Sequence, residues 1–270
     1  MRLHRFTLLQ RLFHLLLMVS FLMQTATGVG RMYAETNFGK VLLTPFGGFY
    51  NAIVWHKLIG IFMLVLFGVH LIYILIVALR LRERSITGPD SIIPNRMDIR
   101  MMVNHLGWML GRKKIPPFER WGYWEKFDYW AVFWGMVIIG GTGLILYDPL
   151  ASSTMMPGWA INVAFWVHRI EAMLAMAHVF LIHFAIAHLR RHNFPMDRAM
   201  FAGGADLESA KEERAAWIAR LKQEGRLKYL TSPDTSFPGL VFSYLLGFSA
   251  ILLGLYVVVG GIVNFRYVTW

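Results

Sequence analysis

Histidine is the residue type in this chain whose number and spacing favour chemistry. Ten histidines occur in 270 residues, and five of them lie in the segment HRIEAMLAMAHVFLIHFAIAHLRRH at residues 168–192. The rest of that segment is almost entirely apolar. A buried polar ring costs free energy unless its nitrogens find partners. We therefore expect several of these imidazoles to bind a group that the chain encloses.

Two long apolar runs each carry a pair of histidines at nearly equal spacing. His56 and His70 are fourteen residues apart, and His168 and His183 are fifteen apart. On an α-helix each pair returns to within about 40–60° of one face, with its members about 21–22 Å apart along the axis. Two facing helices of this kind would form two stacked bis-histidine sites. Such sites suit two non-covalent b-type haems, each iron taking one imidazole from either helix.

The remaining histidines compete with these pairs or support them. His14 lies about six residues inside the first apolar run, at the same expected depth as His70 and His183, so it competes with His70 as a ligand. His178 is turned about 80° away from His168, and we expect it to be a packing residue or a neighbour of a haem rather than a ligand. The histidines to which we assign no ligand role are His4, His105, His188 and His192.

The composition indicates a protein embedded in a lipid bilayer. Hydrophobic residues make up 56% of the chain and charged residues only 16%, whereas soluble domains carry about 25% charged residues. The apolar runs long enough to cross a bilayer are predicted at residues 8–28, 54–79, 129–147, 160–189 and 237–263. The expected fold class is all-α integral membrane, a four-helix haem-binding bundle plus a fifth transmembrane helix.

The chain contains no cysteine. Disulfides, iron–sulfur clusters and covalent c-type haem are therefore excluded, and any redox centre must be held by histidine. The first apolar run resembles a signal peptide in position, but it is long, contains His14 and Gln24, and lacks a clear A-x-A site. We predict that it is retained as a transmembrane helix.

Basic residues are divided unequally between the two sides of the predicted bundle. Of 27 Lys and Arg residues, three lie in residues 2–11, ten lie in residues 80–126, nine lie in residues 190–228, and five remain for the other side. The positive-inside rule predicts an inner (cytoplasmic) membrane protein with its N-terminus in the cytoplasm and its C-terminus outside. This asymmetry accounts for the net charge of +11, so no nucleic-acid partner is expected.

The loops divide the chain into three predicted parts. These are a four-helix di-haem domain at 1–200 with a cytoplasmic loop at 80–128, a cytoplasmic amphipathic or charged connector at 201–236, and the fifth transmembrane helix at 237–270. MDIRMMVNHLGWMLGRKK at 97–114 predicts an amphipathic helix on the membrane surface. ADLESAKEERAAWIARLKQEGRLK at 205–228 predicts a solvated helix against a partner or lipid headgroups, or an exposed connector.

Several motifs together resemble the membrane di-haem cytochrome b family that serves formate dehydrogenase, nickel–iron hydrogenase and thiosulfate reductase as the quinone-reactive subunit. They are RFTLLQRLFH, WHKLIGIFMLVLFGVH, FERWGYWEKFDYW, HRIEAMLAMAHVFLIHF and RRHNFPMD, within residues 5–200. The resemblance implies that His56 and His168 hold an outer haem and that His14 and His183 hold an inner one. The spacing alone, which resembles cytochrome b6, selects His70 in place of His14, and both assignments stay open at this point.

The resemblance also implies electron transfer across the membrane between a quinone, such as menaquinone, and a partner redox protein. The expected partners are membrane lipid and a peripheral iron–sulfur or multihaem cytochrome subunit, in a quinone-linked oxidoreductase complex. A quinone site needs a proton-exchanging polar group beside a haem, and a carboxylate inside a transmembrane segment is a functional candidate. The candidates are Glu119, Arg120, Lys126 and Asp128 near the inner haem and Glu171 near the outer haem.

Three other functions fit parts of the pattern. A stand-alone transmembrane haem reductase of the cytochrome b561 type would use the same haems without a complex. A membrane di-iron oxygenase would use HFAIAH and HLRRH as metal-binding boxes, but such enzymes need further boxes that the sequence lacks. A transporter would require discontinuous helices with repeat symmetry, which the sequence does not show.

The third apolar run contains the glycine-rich stretch GMVIIGGTG. Small residues in a transmembrane helix let either a neighbouring helix or a porphyrin edge approach the backbone closely. Both interpretations of these glycines remain open from the sequence.

Overall fold

Residues 1–80, 88–190 and 193–268 are described by the computed structural model. Its helices, in chain order, are α1 Leu8–Met32, α2 Asn37–Leu43, α3 Phe49–Arg80, α4 Arg96–Met109, α5 Tyr123–Ile145, α6 Pro149–Ser153, α7 Gly158–Ala177, α8 Phe184–His188, α9 Ala199–Ala202, α10 Leu207–Glu213, α11 Ala215–Gln223, α12 Leu227–Leu230 and α13 Phe237–Val263. A π-helical turn, His178–His183, joins α7 to α8. Within the described residues five helices are long and apolar enough to span a membrane: α1, α3, α5, the α7–α8 unit and α13. The predicted all-α membrane fold is confirmed.

The third spanning helix begins earlier than its hydropathy predicts. α5 begins at Tyr123 rather than near residue 129 and so includes Glu125, Lys126 and Asp128. A hydropathy pattern assigns such charged residues to a loop. In the structure each of the three has an oppositely charged or imidazole partner from another segment. The helix therefore continues through them.

Four spanning helices form the bundle, and the fifth lies beside it. α1 packs along α3, α5 packs along α7, and α3 contacts α5. α13 packs against α1 and against the π-helical turn. Its packed face is built from small residues: a Cβ at Gly254 would lie 2.6 Å from the Phe180 ring. Larger side chains there would push the helix away, so the small residues let α13 pack closely against the side of the bundle.

Local sequence fixes where two of the helices start. The Thr7 hydroxyl accepts from the Gln10 N–H while the Gln10 side chain accepts from the Thr7 N–H, which completes a capping box for α1. Asn95 and Asp98 form the same reciprocal arrangement at the start of α4. These caps satisfy backbone donors that the first turn of a helix leaves without partners. α4 thus forms where the amphipathic surface helix is predicted.

The N-terminus and the segment after the fourth span fold together on one side of the bundle. This side carries residues 1–7, 88–122 and 193–236, and we call it the basic side because these segments are rich in Lys and Arg. Strand β1 (Arg2–His4) pairs antiparallel with β2 (Gly204–Asp206) and with β3 (Thr231–Ser232). The sequence pattern does not predict this small sheet. It joins the start of the chain directly to the predicted connector.

The predicted charged helix at 205–228 is instead two helices, α10 and α11, that meet at Arg214. The apolar residues Trp217, Ile218 and Leu221 follow a helical spacing on α11, so they lie on one face. That face is buried against Leu3 of β1, which is fully buried. The polar faces of the segment are exposed, whereas its apolar face is covered by the chain's own N-terminus and not by a partner or lipid headgroups.

A buried ionic cluster connects this folded segment to α5. Arg5 and Arg214 are 4% and 3% exposed, and each donates to Glu125 Oε1 at 2.9 Å. Both guanidiniums also donate to the carbonyl oxygen of Arg120. Burial disfavours a charged group, yet the Glu125 carboxylate raises the pKa of Arg5 above its ordinary value. One carboxylate therefore holds two buried cations in place.

Glu125→Gln tests this cluster, because it removes the carboxylate that the two buried guanidiniums share. Loss of one partner from a buried ion pair costs about 3–5 kcal/mol, so we expect a clear fall in the thermal unfolding midpoint, measured by far-UV circular dichroism in detergent. Glu224→Gln is the matched control, since Glu224 is exposed and pairs with Arg226 at the surface; its midpoint should not change. Equal midpoints for both variants would contradict the assigned role of Glu125.

Candidate haem sites

His56 and His168 face each other near the side of the bundle opposite the basic side. Their ring centroids are 6.3 Å apart and the rings are inclined by 74°. His56 Nδ1 lies 2.9 Å from Thr27 Oγ1. His168 Nδ1 lies 3.1 Å from both Thr142 Oγ1 and the carbonyl oxygen of Ile139. In both rings Nδ1 is bonded within the bundle.

The partners of these two rings fix which nitrogen carries the proton. Each threonine hydroxyl donates to a carbonyl four residues earlier on its own helix, at 2.8 Å for Thr27 and 2.7 Å for Thr142. Each hydroxyl oxygen is then an acceptor for an imidazole N–H, so the Nδ1–H groups of His56 and His168 donate. The Nε2 atoms therefore present lone pairs, which is the form of histidine that binds a metal.

A second pair lies near the basic side. The ring centroids of His14 and His183 are 6.5 Å apart, with the rings inclined by 41°. His183 Nδ1 lies 3.2 Å from Asp128 Oδ2. A carboxylate only accepts, so Nδ1–H of His183 donates and Nε2 again carries the lone pair.

His70 lies outside both pairs. Its Nε2 is 3.1 Å from the Tyr129 hydroxyl, and its ring packs against Phe13 and Tyr73. In His70 it is thus Nε2 that is hydrogen-bonded. In His56, His168 and His183 it is Nδ1 that is hydrogen-bonded, so that Nε2 is available to a metal. The structure brings His14, and not His70, to His183.

The separations of the two pairs suit a metal held between the rings. Metal–imidazole bonds of about 2 Å on either side of an iron place the two ring centres about 6 Å apart. Both observed separations, 6.3 and 6.5 Å, agree with this value. Glycines also lie beside one pair: a Cβ at Gly28 or Gly143 would be 3.4 or 3.3 Å from the Cε1 atom of His56 or His168. The residues present therefore fit a large planar group with bis-histidine ligation.

The comparison with known families agrees with this geometry. The family described as prokaryotic cytochrome b561 matches residues 5–203, about three quarters of the chain. The chain belongs to the prokaryotic cytochrome b561 family. It is a multi-pass membrane cytochrome that binds b-type haem and transfers electrons. No curated protein matches the chain.

The family leaves the di-iron interpretation without support. In this cytochrome His188, part of both metal-binding boxes considered for a di-iron site, accepts a hydrogen bond from the Asp197 N–H at 3.2 Å. His192 lies outside the described residues. Among those residues, no group of three or more His, Asp or Glu side chains is arranged to hold a metal ion.

The glycines of α5 have more than one role in the cytochrome. A Cβ at Gly140 would lie 2.5 Å from Leu64 Cδ2, so this glycine allows α3 and α5 to pack closely. Gly143 lies beside His168 instead, whereas a Cβ at Gly141 would meet nothing within 4 Å. Helix packing and clearance at a histidine pair are therefore assigned to different glycines of the same motif.

The five polar residues considered for a quinone site occupy different environments. Glu119 accepts from Arg220 at 3.0 Å, and Lys126 is buried and donates to Asp98 on α4 at 2.9 Å. Arg120 donates to the carbonyl of Arg5 in the ionic cluster. These three residues hold the basic side together. The other two differ: Asp128 contacts His183, and Glu171 is half-buried on α7 one turn from His168.

Sequence reasoning did not identify the threonines that position two of the rings. Thr27 and Thr142 lie on helices other than those that carry their histidine partners. One signal was available, since each is a polar residue at the depth of a histidine within an apolar run. Residue spacing does not show how each helix is rotated about its own axis, and that rotation decides which threonine faces which histidine.

Proposed function

We propose that the cytochrome binds two b-type haems, one between His56 and His168 and one between His14 and His183. The observation that carries this proposal is the pairing of four imidazoles at 6.3 and 6.5 Å, with Nδ1 of His56, His168 and His183 engaged in hydrogen bonds. When bound, each haem iron supplies a one-electron redox centre. The chain orients the rings, keeps Nε2 available and excludes water from the bundle.

The proposed function is electron transfer across the membrane. His168 and His183 lie on the fourth span, separated by ten residues of α-helix and one π-helical turn, which together correspond to about 20 Å along the helix axis. The two pairs therefore lie toward opposite sides of the bilayer. Electrons that pass from one pair to the other cross most of the hydrocarbon core, which is about 30 Å thick.

We further propose that the cytochrome exchanges these electrons between a quinone, such as menaquinone, and a peripheral iron–sulfur or multihaem redox subunit. The motif resemblance to quinone-reactive subunits supports this role over that of a stand-alone reductase. We place the quinone on the basic side, beside the His14–His183 pair. Four of the five polar candidates lie at that end of α5, where protons can reach the aqueous phase.

The distribution of charge supports an orientation in the inner membrane with the basic side in the cytoplasm. The loops that carry most of the Lys and Arg residues lie on the side where β1, α10 and α11 fold together. Basic loops are retained in the cytoplasm during insertion. The partner subunit would then bind on the outer side.

The ligand assignment predicts which histidine variants lose haem. His14→Ala should lose one of the two haems, as should His183→Ala, because each removes an axial ligand of the same iron. His70→Ala is the matched control at similar depth and should retain both haems, since Nε2 of His70 is bonded to Tyr129. Haem content is measured from reduced-minus-oxidised visible spectra per mole of purified protein. Retention of both haems in His14→Ala, with loss in His70→Ala, would reverse the assignment.

The proposed quinone reaction predicts rapid haem reduction by a quinol. A reduced menaquinone or ubiquinone analogue mixed with the oxidised cytochrome should reduce haem, followed by visible absorbance in a stopped-flow instrument. Glu171→Gln should retain the rate of the unaltered protein, because Glu171 lies near the other pair. A loss on the order of 100-fold, typical of a removed proton-transfer group, would move the quinone site to the outer side. Reduction by ascorbate but by neither quinol would favour a stand-alone reductase.

The proposed orientation predicts where the C-terminus lies. Alkaline phosphatase fused after Trp270 should be active, because this enzyme folds to its active form only outside the cytoplasm. A fusion truncated after Arg112, on the basic side, is the control and should be inactive. The reverse pattern would show that the cytochrome is inserted with the opposite orientation.

A further inference from the structure

Asp128 is the carboxylate that contacts a proposed haem ligand. Its side chain, on α5, is 17% exposed. Oδ2 lies 3.2 Å from Nδ1 of His183, and Oδ1 lies 3.0 Å from Nε2 of His178. A carboxylate within a spanning helix is unfavourable unless it is paired. His183 is its hydrogen-bond partner, and His178 lies within ion-pair distance of its other oxygen.

The π-helical turn explains how both imidazoles reach one carboxylate. His178 and His183 are five residues apart and are the first and last residues of that turn. On a regular α-helix residues at this spacing point about 140° apart, so they could not face the same group on α5. A π-helical turn places residues i and i+5 one turn apart. The change in helix geometry therefore brings His178 and His183 to Asp128 together.

The two histidine pairs differ in the charge of the groups that their Nδ1–H atoms contact. His56 and His168 donate to neutral acceptors, namely the hydroxyls of Thr27 and Thr142 and the carbonyl of Ile139. His183 donates to a carboxylate. A carboxylate partner makes a ligating imidazole a stronger electron donor than a neutral partner does. The carboxylate partner is thus found at the His14–His183 pair and not at the His56–His168 pair.

We propose that Asp128 lowers the reduction potential of the haem held by His14 and His183, by accepting a hydrogen bond from His183. This inference rests on the proposed ligation. The ferric form carries one more positive charge than the ferrous form, so a more basic axial ligand beside a carboxylate stabilises the ferric form. Reduction adds one electron and breaks no bond. Asp128 acts through His183, as a positioning residue.

Asp128→Asn in the full-length protein tests the proposal. The amide keeps the size of the side chain and removes its charge, so one haem should show a raised midpoint potential while the other is unchanged. The measurement is an equilibrium redox titration with chemical mediators and no quinone, followed by visible absorbance. Asp148→Asn is the matched control: Asp148 is exposed, caps α6, and Asn preserves a cap. Both of its potentials should equal those of the unaltered protein.

A second variant decides the matter if Asp128→Asn loses a haem. His178→Leu keeps the carboxylate and removes its other partner, so more of the negative charge acts on His183 and the potential of the same haem should fall. An unchanged potential in either haem-replete variant, or an equal shift of both haems, would overturn the proposal. A titration of the unaltered protein that shows fewer than two haems would instead refute the proposed function, so the two failures are distinguishable.

Discussion

An imidazole inside a bilayer is unfavourable unless its nitrogens find partners, because no water is present to replace them. The bundle supplies such partners to three of the four paired histidines, whereas the buried Nδ1 of His70 has no hydrogen-bond partner in the described part of the chain. Thr27, Thr142 and Asp128, with the carbonyl of Ile139, engage Nδ1 of three histidines. The ring centroids within the two pairs are 6.3 and 6.5 Å apart, a separation that suits an iron between the rings. α1, α3, α5 and α7 all take part, since each contributes a proposed ligand or a group that orients one.

The same helices must also be held at fixed rotation, and the basic side contributes to this. β1, at the start of α1, pairs with strands before α10 and after α12. Arg5 and Arg214 both form ion pairs with Glu125, near the start of α5. The first and third spans are thus connected outside the membrane, on the side of the His14–His183 pair. The contacts of residues 2–5 with the rest of the basic side therefore help to fix the position of the part of α1 that carries His14.

The spans and one histidine pair could be predicted from sequence because they depend on local properties. Apolar length determines the spanning helices, and the positions of His56 and His168 near corresponding helix ends favour their pairing. The choice between His14 and His70 could not be made, since both lie at the same depth and only helix rotation separates them. The π-helical turn and the three-stranded sheet depend on contacts between distant segments. A hydropathy pattern contains no record of such contacts, so Asp128 was expected in a loop, as a quinone-site candidate near the inner haem, and not as the partner of His183.

The proposed electron path depends on two haems held in two bis-histidine sites. The most direct measurement is a pyridine haemochrome assay on the purified, unaltered protein, with the protein concentration fixed by quantitative amino-acid analysis. Two b-type haems per chain are expected, because four paired imidazoles supply two iron sites. One haem per chain, or none, would rule out the paired assignment.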